Sequence, residues 1–232
     1  MISETNASPT HPHAPCREPD LSRRRGLLIV FEGIDGSGKS TQARLLADRL
    51  RREGLPVLLT SEPSDGPVGV VIKSSGARLA LVEEMRLFME DRRDHVKRTI
   101  GPALQGGTIV ICDRYVYSSA AYQGARGLDP AGIIAENFAF APRPDITFLL
   151  EIPVEAGLDR IKSGRAAGFS AFEVKEELEK VARVYHEIGD PCMVRLDGLD
   201  SAEAIHNEIV TTLVRLGLRF PSSEGSERTQ RD

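Results

Sequence analysis

The chain has 232 residues, 41% of them hydrophobic and 28% charged, which excludes a fibre and a wholly disordered chain. Its 30 basic and 34 acidic residues leave a net charge of −4, which excludes general coating of nucleic acid. No apolar run approaches the ~20 residues of a membrane-spanning helix, and three cysteines without metal or redox spacing exclude a disulfide scaffold and point to a reducing, cytoplasmic setting.

Residues 1–25 carry Pro9, Pro12, Pro15, Pro19 and the cluster Arg23-Arg24-Arg25, with few apolar residues, and read as a disordered tail. His11, His13 and Cys16 within it lack a fourth metal ligand. The body, residues 26–218, reads as one domain, and residues 219–232 as a second tail. Leu27 to Phe31 is a continuous apolar run, as expected of a strand buried on both faces. Lys39 to Arg52 has helical periodicity and ends at Gly54, which suits a left-handed cap. Val57 to Thr60 is a second strand, and Leu79 to Gln105 a long helix that Pro102 shortens or kinks. Thr108–Cys112, Ile146–Leu150 and Cys192–Leu196 are further strands. Helices are expected over Val154–Ile161, Phe172–Ile188 and Ala202–Leu216, the last opened by the capping-box-like Asp200-Ser-Ala-Glu203.

Strands joined by helical crossovers imply a parallel sheet with helices on both faces. The expected fold is therefore α/β, a three-layer α/β/α sandwich around a five-stranded parallel sheet. Ligands of such sheets sit beyond the carboxyl ends of the strands, which directs attention to the residues that follow each one.

After the first strand, Gly33-Ile34-Asp35-Gly36-Ser37-Gly38-Lys39-Ser40 matches the phosphate-loop pattern between a strand and a helix. Its backbone N–H groups and the helix dipole suit a phosphate chain. Lys39 suits the outer phosphates, and Ser40 suits Mg²⁺. Asp35 is either a turn residue or a carboxylate facing a second substrate's hydroxyl. Glu62-Pro63 after the second strand is either a rigid turn or part of an acceptor pocket. Phe88 and Arg92 share one helix face, as core and surface residues or as a stacking ring beside a guanidinium. Asp113 takes the position of a Mg²⁺-shell carboxylate, with Arg114 beside it for a phosphate. Residues 162–171, Lys162-Ser-Gly-Arg165-Ala-Ala-Gly168-Phe-Ser-Ala, are basic and glycine-rich, either a plain surface loop or a lid over phosphates.

Phe31-Glu-Gly-Ile-Asp-Gly-Ser-Gly-Lys-Ser-Thr41, Glu62-Pro63, Phe88 with Arg92, Asp113-Arg114-Tyr115 and Ala121-Tyr122-Gln123-Gly124 come in the order seen in thymidylate kinases, which the chain resembles over about residues 27–216. The resemblance implies a P-loop kinase, usually a homodimer, that phosphorylates dTMP to dTDP with ATP and Mg²⁺ in dTTP biosynthesis. It places the ATP phosphates on Gly33 to Thr41, the sugar 3′-hydroxyl at Asp35, base stacking at Phe88 and a base carbonyl at Arg92. It sets the dTMP phosphate at Arg114 and the deoxyribose over Tyr122, with Glu62, Ser119 and Gln123 completing the acceptor pocket. Three positions depart from the pattern. Ser61 stands where many relatives have arginine, Ser170-Ala171 where a lid Asp-Arg is usual, and Gly36 where other members carry an arginine. The cation for the transferring group is then expected from Lys162, Arg165 or Arg160. The alternatives are a kinase for another nucleoside monophosphate and a nucleotide-binding regulatory protein with little catalysis.

Overall fold

The computed structural model describes Leu21 and residues 26–75, 79–162 and 171–219. Five parallel strands, β1 (Leu27–Glu32), β2 (Val57–Ser61), β3 (Ile109–Asp113), β4 (Ile146–Glu151) and β5 (Met193–Asp197), lie in the order β2-β3-β1-β4-β5. The chain leaves β1 for β2 and β3 on one side, then crosses it for β4 and β5. The loop after β1 therefore stands at the switch point, where such sheets open a crevice. Register aligns the strand ends: Phe31 and Ser61 both lie level with Asp113, and Glu151 with Asp197.

The unbroken apolar run of β1 is explained by burial on both faces. Leu27, Ile29 and Phe31 pack with Leu46 and Leu50 of α1 (Lys39–Arg52) and with Ile205, Ile209 and Leu213 of α9 (Ala202–Arg215). Leu28 and Val30 point the other way, against Val110, Cys112, Ile100 and Tyr115. Phe31 stacks on Phe148 of β4 at 5.5 Å between ring centres. Gly54, at φ 79°, closes α1: its N–H reaches Arg51 O and that of Leu55 reaches Leu50 O. Leu21, inside the expected tail, is buried in the same core and donates its N–H to Leu216 O at 2.8 Å.

The long helix behaves differently from a simple kink. α3 (Leu81–His95) runs through a π turn at Val96–Ile100 into α4 (Gly101–Gln105). Pro102 has no N–H and its ring crowds the carbonyl four residues back. The π turn absorbs this, with Gly101 N–H bonded to Val96 O, and the helix continues. Three elements were absent from the expectation: α2 (Pro67–Ser74), α6 (Pro130–Phe138) and α5 (Val116–Gly124). The second carries a readable signal, Asp129 accepting from the N–H groups of Ala131 and Gly132 with Pro130 next. The cap of α9 is Ser201, bonded to Ala204 N–H, rather than a box begun by Asp200. α5 (Val116–Gly124), α7 (Val154–Lys162) and α8 (Ala171–Glu187) complete the layers. Among the described residues no helix is long and apolar enough to cross a membrane.

Candidate active site

The loop after β1 curls over the start of α1. Gly36 has φ 80°, and a Cβ there would lie 2.3 Å from Gly157 O, so this position has no room for a side chain. Lys39, the first residue of α1, turns back and donates through Nζ to Ile34 O at 2.8 Å and Ser37 Oγ at 3.4 Å. Burial, and then the charge of Arg114, lowers its pKa to about 7. Ser40 Oγ donates to Asp113 Oδ2, whereas Asp113 Oδ1 is buried with no hydrogen-bond partner. A hydroxyl beside a carboxylate with a spare oxygen fits Mg²⁺, which keeps waters and takes phosphate oxygens rather than a full protein cage.

A cavity of about 460 Å³ opens over this loop, lined by Asp35 to Thr41 and Arg114. Gly33 and Ile34 are not on its wall. Ile34 is buried in the core and offers only its carbonyl to Lys39, while Gly33 is packed against Leu150 O. The far wall is Gln42, Gly198, Asp200, Ala202 and Ile205. These residues, from α1, the turn after β5 and the start of α9, went unnoticed in the sequence, although the rule of reading past each strand end points at that turn.

A second cavity of about 240 Å³ is lined by all eight expected acceptor residues: Asp35, Glu62, Phe88, Arg92, Arg114, Ser119, Tyr122 and Gln123. Asp35 and Arg114 line both cavities. Arg114 Nη2 donates to Asp35 Oδ1 at 2.6 Å and Tyr122 Oη at 3.3 Å, and its guanidinium lies 5.0 Å from the Tyr122 ring centre. Desolvation pushes the Asp35 carboxyl upward, but Arg114 and Lys39 outweigh it and its pKa stays below the usual value.

Arg92 is neither core filler nor a surface ion pair. It is 1% exposed, and its Nε donates to Glu62 Oε2 at 2.8 Å and its Nη1 to Asn137 Oδ1 at 2.5 Å. Nη2 reaches Tyr115 O and Ser119 Oγ, each at 3.0 Å. His95 Nδ1 lies 3.1 Å from Glu62 Oε1, and its Nε2 lies 2.8 Å from Thr60 Oγ1. This network engages Nε, Nη1 and Nη2 and so offsets the cost of burying the guanidinium. Asn137 and His95 carry no sequence signal that singles them out.

Glu32, at the end of β1, is a further residue that pattern reading missed. It is buried, and its Oε1 accepts from Tyr115 N–H at 2.9 Å and Ser118 N–H at 3.1 Å. Its Oε2 accepts from Ser118 Oγ at 2.5 Å and Tyr185 Oη at 2.8 Å. Glu32 thereby caps α5 from another strand, since Tyr115 supplies no side-chain cap. The capped turn follows Arg114, whose φ of 71° is left-handed and costly for a side-chain-bearing residue. Burial raises the Glu32 pKa, against the pull of the Ser118 and Tyr185 hydroxyls and the Arg114 charge.

Of the expected lid cations, Lys162 lines neither cavity; it is 62% exposed and its Nζ lies 3.8 Å from Asp159. Arg165 lies outside the described residues. Arg160 does reach the loop, donating from Nη1 to Gly36 O at 3.3 Å and from Nη2 to Gly198 O at 2.9 Å.

The family model for thymidylate kinase matches residues 31–209. The chain is 42% identical over 199 residues to the thymidylate kinase of Desulfotalea psychrophila, covering 84% of this chain and 98% of that one. It is 46% identical over 197 residues to a probable thymidylate kinase of Pyrococcus horikoshii, covering 80% and 95%. Against the thymidylate kinase of Akkermansia muciniphila it is 43% identical over 206 residues, covering 88% and 97%.

Proposed function

From the chain's membership of the thymidylate kinase family we infer that it transfers the γ-phosphoryl group of ATP to dTMP, giving dTDP and ADP for dTTP synthesis. The observation that carries this reading is the pair of cavities meeting at Asp35 and Arg114, a phosphate-loop cavity on one side and a second cavity, lined by Phe88, Arg92, Tyr122 and Gln123, on the other. Two substrates so placed need no general base, because the acceptor phosphate is already anionic. Positioning and charge then do the work.

The loop N–H groups and Lys39 hold the donor phosphates. Arg114 takes the acceptor phosphate in exchange for part of its pairing with Asp35, and Asp35 is freed for the sugar hydroxyl. Phe88 stacks on the base, Arg92 and Gln123 read its edge, and Tyr122 lies beneath the sugar. Ser40 and Asp113 would hold Mg²⁺, which supplies charge neutralisation on the phosphates. Arg160 stands nearest the loop to supply the remaining positive charge, with Arg165 and Lys162 as the other candidates. The family relationship also supports a cytoplasmic homodimer, and exposed Val70 and Val71 of α2 and Val82 of α3 offer apolar surface for such a contact.

The deciding experiment is ADP release from purified protein with ATP and Mg²⁺, alone and with dTMP, dUMP, dCMP, dGMP or thymidine. Stimulation mainly by dTMP is the expected result. Stimulation mainly by another acceptor reassigns the substrate, and ATP binding without any stimulation overturns the kinase reading.

A further inference from the structure

Glu84 and Arg126, which hold Gln123 at the wall of the acceptor cavity, take no part in the transfer just described. Glu84, in the first turn of α3, lines that cavity and is 19% exposed. Its Oε2 accepts from Arg126 Nη1 at 2.6 Å, and its Oε1 accepts from Gln123 Nε2 at 2.9 Å. Arg126 is tied a second time, through Nη2 to Leu79 O at 3.3 Å. Gln123 is 2% exposed, and its Oε1 is buried without a hydrogen-bond partner.

The chemistry removes the usual ambiguity of an amide. A carboxylate paired with a guanidinium only accepts, so the amide nitrogen of Gln123 must face Glu84. Its carbonyl oxygen is then the atom left for a ligand in the cavity that Gln123 lines. A buried acceptor without a partner is unfavourable, so the cavity favours a ligand that brings a donor to this spot. Arg92, which only donates, lines the same cavity.

We propose that Glu84, anchored by Arg126, is a positioning residue that locks the Gln123 amide with its oxygen toward the cavity, so that the pocket selects a base carrying a ring N–H beside a carbonyl. This rests on the thymidylate reading of the site. Thymine and uracil present that edge: a donor at N3 and an acceptor at O4. Cytosine presents the reverse, a bare N3 and an amino group, and sets two acceptors face to face. Only rotation of the Gln123 amide relieves this clash, and Glu84 opposes the rotation because it would bring carbonyl oxygen against carboxylate.

The test is steady-state kinetics of the full chain with dTMP, dUMP and dCMP, comparing the unmodified protein with Glu84→Gln. Glutamine at 84 both donates and accepts, so it releases the amide while keeping its shape. The expected result is a rise in KM for dTMP larger than any fall in kcat, and a drop of about ten-fold or more in the dTMP to dCMP ratio of kcat/KM. Use of dUMP should fall in parallel with dTMP, since both share the imide edge. An unchanged ratio overturns the proposal. If Glu84→Gln does not fold, Arg126→Met, which unanchors Glu84, tests the same ratio: a drop supports the proposal and an unchanged value overturns it. A failure of the thymidylate reading shows separately, as absence of dTMP stimulation in the unmodified protein, and it overturns both.

Discussion

The two cavities are built by opposite means. The donor cavity is lined mainly by one contiguous stretch, Asp35 to Gln42, joined by the turn after β5, the start of α9, Arg114 and Arg160. The acceptor cavity is made of side chains from four separate places, held by a buried polar network centred on Arg92 and Glu62. Main-chain phosphate binding tolerates change around it but depends on a few irreplaceable groups. A side-chain pocket spreads its demands, so damage there reaches stability as well as recognition.

The sharpest way to break this contrast is through Lys39 and Arg92. Lys39→Ala is expected to lower kcat by about 10³-fold or more while leaving the fold intact, because it removes a positioned charge from the donor phosphates. Circular dichroism and turnover assays check both halves. Arg92→Ala is expected to destabilise the protein by about 3–5 kcal/mol, since it strands the buried Glu62 carboxylate. A urea midpoint that barely moves would refute the network's structural role. Arg114→Ala sits between the two, with an expected loss of about 10²-fold in kcat/KM for dTMP and little change in KM for ATP. An equal loss toward both substrates would show that Arg114 serves the donor side as well.

Smaller effects sharpen the comparison. Glu32→Gln keeps a carbonyl for the N–H groups of Tyr115 and Ser118 and meets two hydroxyls that can rotate to accept. It should cost about 1 kcal/mol, against about 3 kcal/mol for Glu32→Ala, which orphans buried donors. Denaturant titration of both variants tests that order.

The smallest expected signal is a proton. With its pKa lowered to about 7, Lys39 is mostly neutral in the free protein at pH 8. Bound polyphosphate favours the charged amine and raises that pKa, so binding of a non-hydrolysable ATP analogue at pH 8 takes up a fraction of a proton approaching one. Below pH 6 the amine is already charged and uptake vanishes. Calorimetry in buffers of different ionisation enthalpy measures this, and proton release at pH 8 would contradict the assignment.

What was legible in advance follows the same division. Local patterns determined the sheet, because an apolar run such as Leu27–Phe31 has few fates other than a doubly buried strand. They also marked the phosphate loop, whose parts are contiguous, whereas the acceptor residues were named mostly through the resemblance to thymidylate kinases, and each of them lines the second cavity. The Pro102 region was half legible: the proline signals a disturbance, but a π turn rather than a break depends on how Ile100 packs against β1 and β3. Glu32 was hidden because its partners, Tyr115, Ser118 and Tyr185, are 83, 86 and 153 residues away. Asn137 and His95 matter only because Arg92 and Glu62 are buried between them, and the Gln123 amide has an orientation only because Glu84 faces it. Spacing along a chain encodes periodicity and local turns. Which buried charge meets which partner is decided by desolvation, and that acts only once the sheet and helices have closed around it.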